Sequence, residues 1–533
     1  MAHAVTDAGT RISRSRTWFP PSDPTIVDLV KLHGKWRASR TALIEGDRRL
    51  TWAEFDRATA RAANGLDALG ITPRERVAVL MDNSLEMVVV LFGIMRHGSV
   101  AVPLNVAISD DAVHRMIADA EARAIFVSQR HGKRIDALGR QSAATADYVR
   151  VGLDHTGDGW TDFHRWHAAQ SPELAVRVPP DHECNIIYSS GTTGVPKGIV
   201  HTHACRMHWA VDLALALRYR SDCVTLCSLG LFSNITWVAM LCTVLVGGTM
   251  VVMSRFDAGA AVELIARERV SHGTFVPLQL ERLLAVADLE RYDITSLDSL
   301  MCCGSPLAID VKREFARRFC CHLIELYGLT EGLCTVLSPE DFERKTASVG
   351  KPFIGTDLRI IGDDDHEVRA GETGEIVGRG PLLMAGYHDN DAASGESTWF
   401  DEHAQRWLRT GDLGRLDEDG FLYIVDRKKD MILSGGQNIF PADIEFIMRT
   451  HPAVEDVAVV GVRSPTWGET PVAVVVRRAG SQTAATELID WTNQRVGKQQ
   501  RIRKVIFRDN LPRNANGKVL KRELRCEFAD LAL

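Results

Sequence analysis

The 533-residue sequence predicts an α/β protein: a large N-terminal domain of layered sheets and helices with a β-rich subdomain, followed by a small α+β C-terminal domain. Three observations carry this. Short apolar strands alternate with helices through the first part of the chain. After about residue 350 glycines and acidic turns multiply around short strands. A dense charge run, Asp426-Arg427-Lys428-Lys429-Asp430, then precedes a compact unit of about a hundred residues, so residues 1–425 and 426–533 are expected to be separate domains.

The elements follow in order. Thr51-Trp52-Ala53-Glu54 has the spacing of a capping box, and apolar residues then keep helical period to Leu69. Residues 77–81 form an apolar strand candidate, 86–97 a largely apolar helix and 100–103 a second strand. The alternation returns with strands at 124–127, 248–253, 273–276 and 299–303, and helices at 260–268 and 310–319, as in parallel sheets. In the β-rich part, Gly371-Glu372-Thr373-Gly374-Glu375 and Asp417-Glu418-Asp419-Gly420 mark turns. The last unit reads as a helix at 441–449, strands at 456–462 and 472–476, and a helix at 485–496.

Composition bounds the function. With 45% hydrophobic and 25% charged residues the chain is an ordinary globular one, and a net charge of −6 supplies no basic field for nucleic acid or an anionic membrane. Eleven cysteines occur without a Cys-x-x-Cys, and the adjacent pairs Cys302-Cys303 and Cys320-Cys321 suit neither zinc nor a disulfide framework; reduced thiols in a cytoplasmic enzyme are expected. The N-terminus has no apolar block of the secretory type. The uncharged stretch between Asp222 and Arg255 is interrupted by Ser228, Gly230, Ser233, Asn234, Gly247 and Gly248, so a buried helix and strand are expected there rather than an integral membrane span. The oligomeric state stays open, a homodimer included.

The most telling stretch is Tyr188-Ser189-Ser190-Gly191-Thr192-Thr193-Gly194-Val195-Pro196-Lys197-Gly198. Strands are expected on either side, at 185–188 and 198–200. Glycines bring backbone N–H groups close to a ligand and the hydroxyls add donors, so the loop can surround a polyphosphate. It lacks the Gly-Lys-Ser/Thr of a Walker loop. ATP is the ligand it points to.

Four further stretches stand with it: Glu325-Leu326-Tyr327-Gly328-Leu329-Thr330-Glu331, Arg409-Thr410-Gly411-Asp412, Asp426-Arg427 and Pro512-Arg513-Asn514-Ala515-Asn516-Gly517-Lys518. The five together, in order and rough spacing from about Pro24 to Glu523, resemble the adenylate-forming superfamily in its acyl-CoA synthetase branch, the AMP-forming acid–thiol ligases. The residues suit the implied roles. Tyr327 offers a flat face to adenine, and Thr330 a donor to phosphate. Glu331 can hold Mg²⁺, a hard cation that shares oxygen ligands with phosphates. Asp412 can accept from ribose hydroxyls, with Arg427 as a fixed cation beside it. The resemblance also assigns Ser189, Ser190, Gly191, Thr192, Thr193, Gly194 and Lys197 to ATP, with Thr192 catalytic. Glu325 and Gly328 belong to the nucleotide motif, and Gly304-Ser305-Pro306 lies beside the adenine and acyl sites. Lys518 is the catalytic lysine it implies: an ammonium placed where a carboxylate meets the α-phosphate is worth about 10²–10³ in rate.

A two-step reaction is implied. A carboxylate and MgATP give an acyl-adenylate and pyrophosphate; the C-terminal domain, mobile in this family, then turns so that a thiol can attack. Lys429 takes the hinge position, and Ser434-Gly435-Gly436-Gln437 matches the segment serving the second step. Gly435 leaves room for a pantetheine arm, and Gln437 either meets the adenylate phosphate or is a plain turn residue. With fifteen residues after Lys518 no fused carrier module is expected, so CoA is the leading acceptor and a separate carrier protein's phosphopantetheine the alternative.

For the acyl pocket, Gly230-Leu231-Phe232-Ser233 stands where the family often reads proline first and histidine last, so that histidine's gating role does not carry over. Phe232, Ser233, Ile235, Trp237, Val276, Leu329, Gly332 and Leu333 are the expected walls, with Asn234 and Gly304 near them. No cationic side chain stands among these, which favours an apolar fatty, aromatic or alicyclic acid. His201, His203, Cys205 and His208 cluster without zinc spacing, and Cys334 is expected to line a pocket rather than act as a nucleophile.

Overall fold

The computed structural model describes residues 24–141, 148–174, 177–189, 197–434, 437–514, 517–529 and 531. Two large sheets make the N-terminal domain. One holds eight strands, in the order Gly386–Tyr387, Lys197–Thr202, Glu183–Ser189, Val100–Pro103, Arg76–Leu80, Ala124–Val127, Val149–Gly152 and Trp160–Asp162. The other holds nine, with Val224–Cys227 between Thr249–Val252 and His272–Phe275 near its middle. Its strands Ser299–Cys303 and His322–Gly328 run parallel, and His322–Gly328 turns back antiparallel into Cys334–Leu337.

Burial on both faces explains why these strands read as continuous apolar runs. Val77 and Val79 face the central helices Leu85–His97 and Trp52–Ala68, while Ala78 and Leu80 face Asp110–Asp119 and Gln129–Gln141 on the other side. The capping box forms as the sequence predicts: Thr51 Oγ1 accepts from Glu54 N at 3.2 Å, and Thr51 N donates to Glu54 Oε2 at 2.8 Å. The uncharged stretch gives the buried helix Asn234–Val246 and the strand Thr249–Val252. Among the described residues no helix is long and apolar enough to cross a membrane.

One strand was not anticipated, and one local expectation is corrected. The strand Val224–Cys227 is a four-residue piece with no turn signal of its own, and it shows only once its parallel neighbours are known. The helix expected to reach residue 496 ends at Asn493, whose side chain donates to Ile502 O at 3.0 Å and accepts from Ile502 N at 2.9 Å.

The β-rich subdomain is a five-stranded sheet in which Arg406–Leu416 pairs with Leu422–Arg427, setting Asp412 opposite Arg427. A boundary between residues 425 and 426 therefore falls inside that last strand, because pairing holds the chain in this sheet to Arg427. The C-terminal unit has its own five-stranded sheet around Gly468–Arg477, covered by Pro441–Arg449 and Ala485–Asn493 over a core that includes Ile444, Val459, Val475 and Leu488. All eleven cysteines are free thiols.

Candidate active site

A cavity of about 590 Å³ is lined by residues of both large sheets, the β-rich subdomain and the C-terminal unit. Its polar end is organised around Asp412. Tyr327 Oη donates to Asp412 Oδ2 at 2.8 Å, and Arg427 Nε lies 3.2 Å from Asp412 Oδ1. Thr410 Oγ1 accepts from Asp412 N at 3.0 Å and donates to Ile376 O at 2.8 Å, which pins the turn. The carboxylate is thus buried, oriented and matched by a cation. Tyr327 is half-buried; desolvation raises its phenol well above the usual range, and its hydroxyl acts on Asp412.

Glu331 sits next to this group. Tyr387 Oη donates to Glu331 Oε1 at 3.0 Å, and Lys197 Nζ lies 4.6 Å from the centre of the Tyr387 ring. Burial raises the Glu331 carboxyl, while the Tyr387 hydroxyl and the charges of Arg427 and Lys197 act the other way. Thr330 O is 2.8 Å from His201 Nε2. Burial holds His201 well below 6.5, so the ring is neutral and donates from Nε2 to that carbonyl. His203 is likewise pushed down to about 4 by burial. His201 and His203 are therefore core residues, and among the described residues no group of three or more His, Cys, Asp and Glu side chains could hold a metal. Glu331, with one oxygen engaged, fits a cation that brings most of its ligands as water and phosphate oxygens.

Lys518 reaches the same cavity from the C-terminal unit. Asn514 brackets its loop: Oδ1 accepts from Lys518 N at 2.9 Å, N donates to Lys518 O at 2.9 Å, and O accepts from Gly517 N at 2.9 Å. Gly517 has φ +78°, in the left-handed region that glycine tolerates. Burial pulls the Lys518 ammonium down to about 8, and the charge of Arg427 adds to the effect. Lys429 lines the cavity too, and its carbonyl accepts from Arg525.

At the apolar end Phe232, Ser233, Ile235, Leu329 and Gly304 line the cavity as expected, and Gly328, expected in the nucleotide motif, lines it too. Gly304 has φ +103°, and a Cβ there would lie 3.1 Å from Ile235 Cδ1, so backbone and space both call for glycine. Several expected members stand elsewhere. Trp237 is fully buried, donates from Nε1 to Leu231 O at 2.9 Å and stacks on Arg206, so it is a core residue and not a wall. Leu333 fills the core under Gly378, and Val276 is buried behind Gly304. Gly332 has φ +119° and lets the backbone at Leu382 approach, a Cβ there falling 2.0 Å from Leu382 O. Glu325 is buried in an ion pair with Lys312, away from the lining. Ser305, Pro306 and Gln437 also stay off the lining. Cys334 is core rather than pocket, its thiol pushed up to about 12 by burial. Ser190, Gly191, Thr192, Thr193, Gly194, Gly435, Gly436 and the side chain of Ser189 lie outside the described residues.

Sequence reasoning missed Tyr387, which sits in a two-residue edge strand paired to Lys197–Thr202 and carries no motif. It missed Arg206 and Trp209 as well, since they read as ordinary residues of the helix His203–Ala216.

A two-part enzyme with an oriented acid–cation pair, a carboxylate beside phosphate-loop residues and a lysine from a second domain, all on one cavity, is of the adenylate-forming class. Residues 33–388 match the family model described as AMP-binding enzyme, and residues 443–518 match the AMP-binding enzyme C-terminal domain. The chain belongs to this family and is an AMP-forming acyl-CoA synthetase. It is 34% identical over 507 residues to the feruloyl-CoA synthase of an Amycolatopsis species, covering 93% of this chain and 99% of that one. To a long-chain-fatty-acid–CoA ligase of Mycobacterium tuberculosis it is 33% identical, covering 91% and 94%. Among solved structures, ATP-bound MatB from Rhodopseudomonas palustris superposes with a TM-score of 0.86 at 27% identity, covering 95% of this chain and all of that one; apo MatB gives 0.74.

Proposed function

We propose that this synthetase activates an acid with a largely apolar body, aromatic or aliphatic, and that the arrangement described here is the one for the first step. The convergence of Asp412, Arg427, Glu331 and Lys518 on a cavity with an apolar end carries the reading. The higher TM-score with the ATP-bound relative supports the assignment of the conformation. The names of the two relatives, one acting on an aromatic and one on a fatty acid, support the substrate class.

In the first step a substrate carboxylate oxygen attacks the α-phosphorus of ATP, forming the P–O bond of the acyl-adenylate as the bond to pyrophosphate breaks. Lys518 offsets the charge gathered by the two anions. Asp412, oriented by Tyr327 and Arg427, accepts from the ribose hydroxyls and holds the nucleotide in register. Glu331 would hold Mg²⁺, whose charge, when it is bound, neutralises the phosphates. In the second step the thiol sulfur of CoA attacks the acyl carbon and AMP leaves with the bonding electron pair. Lys429 serves the domain movement between the steps, and Gly435, Gly436 and Gln437 serve the thiol's approach.

The test is AMP and pyrophosphate release from MgATP over a panel of carboxylates, with and without CoA. CoA-dependent turnover confined to aryl or fatty acids is the expected result. Pyrophosphate release with no thioester would move the acceptor to a carrier protein, and turnover only with short charged acids would overturn the substrate class.

A further inference from the structure

Behind the acyl end lies a cation that the list of wall residues does not reveal. Arg206 has no exposed surface, and among the described residues no carboxylate faces it. Its guanidinium lies over the rings of Trp237 and Trp209, at 4.9 Å and 5.6 Å from their centres. Nε donates to Asn185 Oδ1 at 2.8 Å and Nη1 donates to Asn234 Oδ1 at 2.9 Å, while Nη2 has no partner. An unneutralised guanidinium is expensive to bury, and here its positive charge is directed along these two amides.

The consequence falls on Asn234. A guanidinium has only donors, so the amide atom turned toward it must be the oxygen, and the NH₂ is turned away. Asn234 lines the cavity at the first residue of the buried helix Asn234–Val246, which fixes its place. The side chain is half-buried, and the hydrogen bond from Arg206 occupies its Oδ1. The bond to Arg206 thus fixes the amide with its donor on the side away from the guanidinium, at a residue that lines the cavity. Charge on Arg206 polarises it further, because a hydrogen bond from a charged group strengthens the next one in the chain.

We infer that Asn234 is a specificity-determining residue, and that the acyl body of the substrate carries a hydrogen-bond acceptor, such as an ether, carbonyl or hydroxyl oxygen, which Asn234 Nδ2 receives. This rests on reading the apolar end of the cavity as the acyl site. A wholly hydrocarbon tail leaves the polarised amide facing carbon, whereas an oxygen at the right depth pairs it.

The experiment compares kcat/KM for 3-phenylpropenoic acids in matched pairs, methoxy against ethyl, at each ring position. The two groups differ little in size, and only the first accepts a hydrogen bond. Wild-type enzyme is expected to favour the methoxy acid about five- to tenfold at one position. Asn234→Asp keeps an acceptor for Arg206 and removes the donor, so the ratio should fall to about one or invert. Asn234→Leu, checked for folding by its melting transition, is the second variant and should also bring the ratio to about one. Equal treatment of every pair by the wild type, with pyrophosphate still released, would overturn the inference and leave the ligase reading standing. A wild-type ratio retained in either folded variant would overturn it as well. No pyrophosphate release with any aryl or fatty acid would sink both together.

Discussion

The two ends of the cavity are built on different plans. At the polar end, side chains from three sheets and two domains converge: Asp412 with Tyr327 and Arg427, Glu331 with Tyr387, and Lys518 on a loop bracketed by Asn514. At the acyl end the wall belongs to one domain, and what orients it lies a layer deeper, in Arg206 and the two indole rings against it. A site assembled across a domain interface can be taken apart and rebuilt between two reaction steps. A pocket that must hold one acid through both steps is better set in a rigid core.

That contrast predicts where damage falls. The largest effect is expected on stability, from Trp237→Ala. The ring is fully buried and supports Arg206, so its removal should cost about 3–5 kcal/mol, read from urea or thermal unfolding. If Trp237 were a pocket wall instead, the variant would keep its stability and accept bulkier acids. Next comes Lys518→Ala, expected to slow adenylate formation about 10²–10³-fold in pyrophosphate-release assays while leaving the conversion of supplied acyl-adenylate and CoA to thioester. Equal loss in both half-reactions would remove Lys518 from the first step.

The polar end was the more legible in the sequence, and the reason is physical. Asp412, Arg427, Glu331 and Lys518 lie in short motifs because each works through a local turn: Thr410 caps Asp412's own N–H, and Asn514 closes Lys518's loop. Local geometry leaves a local signature. The acyl end depends on contacts across the chain, Arg206 with Asn185 and Asn234, which no window of neighbouring residues displays. Hence Trp237, Leu333 and Cys334 looked like pocket walls beside true ones, when apolar character is common to walls and core alike. The fold shows the same division. Helices and strands with their own periodicity, such as Leu85–His97 and Ala124–Val127, were readable, and Val224–Cys227, defined by its partners, was not.

The pH profile sharpens the comparison at intermediate scale. Lys518 must carry its proton to offset phosphate charge, and burial sets its ammonium at about 8 in the free protein. Because kcat/KM reports groups of the free enzyme, adenylate formation should be level below that value and fall about tenfold per pH unit above it. In Lys518→Arg, whose guanidinium keeps its charge, that limb should vanish, whatever the absolute rate. A wild-type profile still level at about pH 10 would place the ammonium near its ordinary value and contradict the burial of the site.

The smallest expected effect tests the link that the sequence concealed. Tyr387 touches Glu331 through one neutral-to-carboxylate hydrogen bond of 3.0 Å, and its ring lies under Lys197. Tyr387→Phe keeps the ring and deletes the hydroxyl, so the Lys197 contact survives and only the orientation of Glu331 relaxes. Loss of one such bond corresponds to about 1.5 kcal/mol, or roughly tenfold. If Glu331 serves the cation, the deficit should appear as a raised Mg²⁺ requirement in pyrophosphate release and shrink as Mg²⁺ is increased. A loss that Mg²⁺ does not relieve would instead mean that the hydroxyl steadies the edge strand Gly386–Tyr387, and that variant would melt earlier than the wild type.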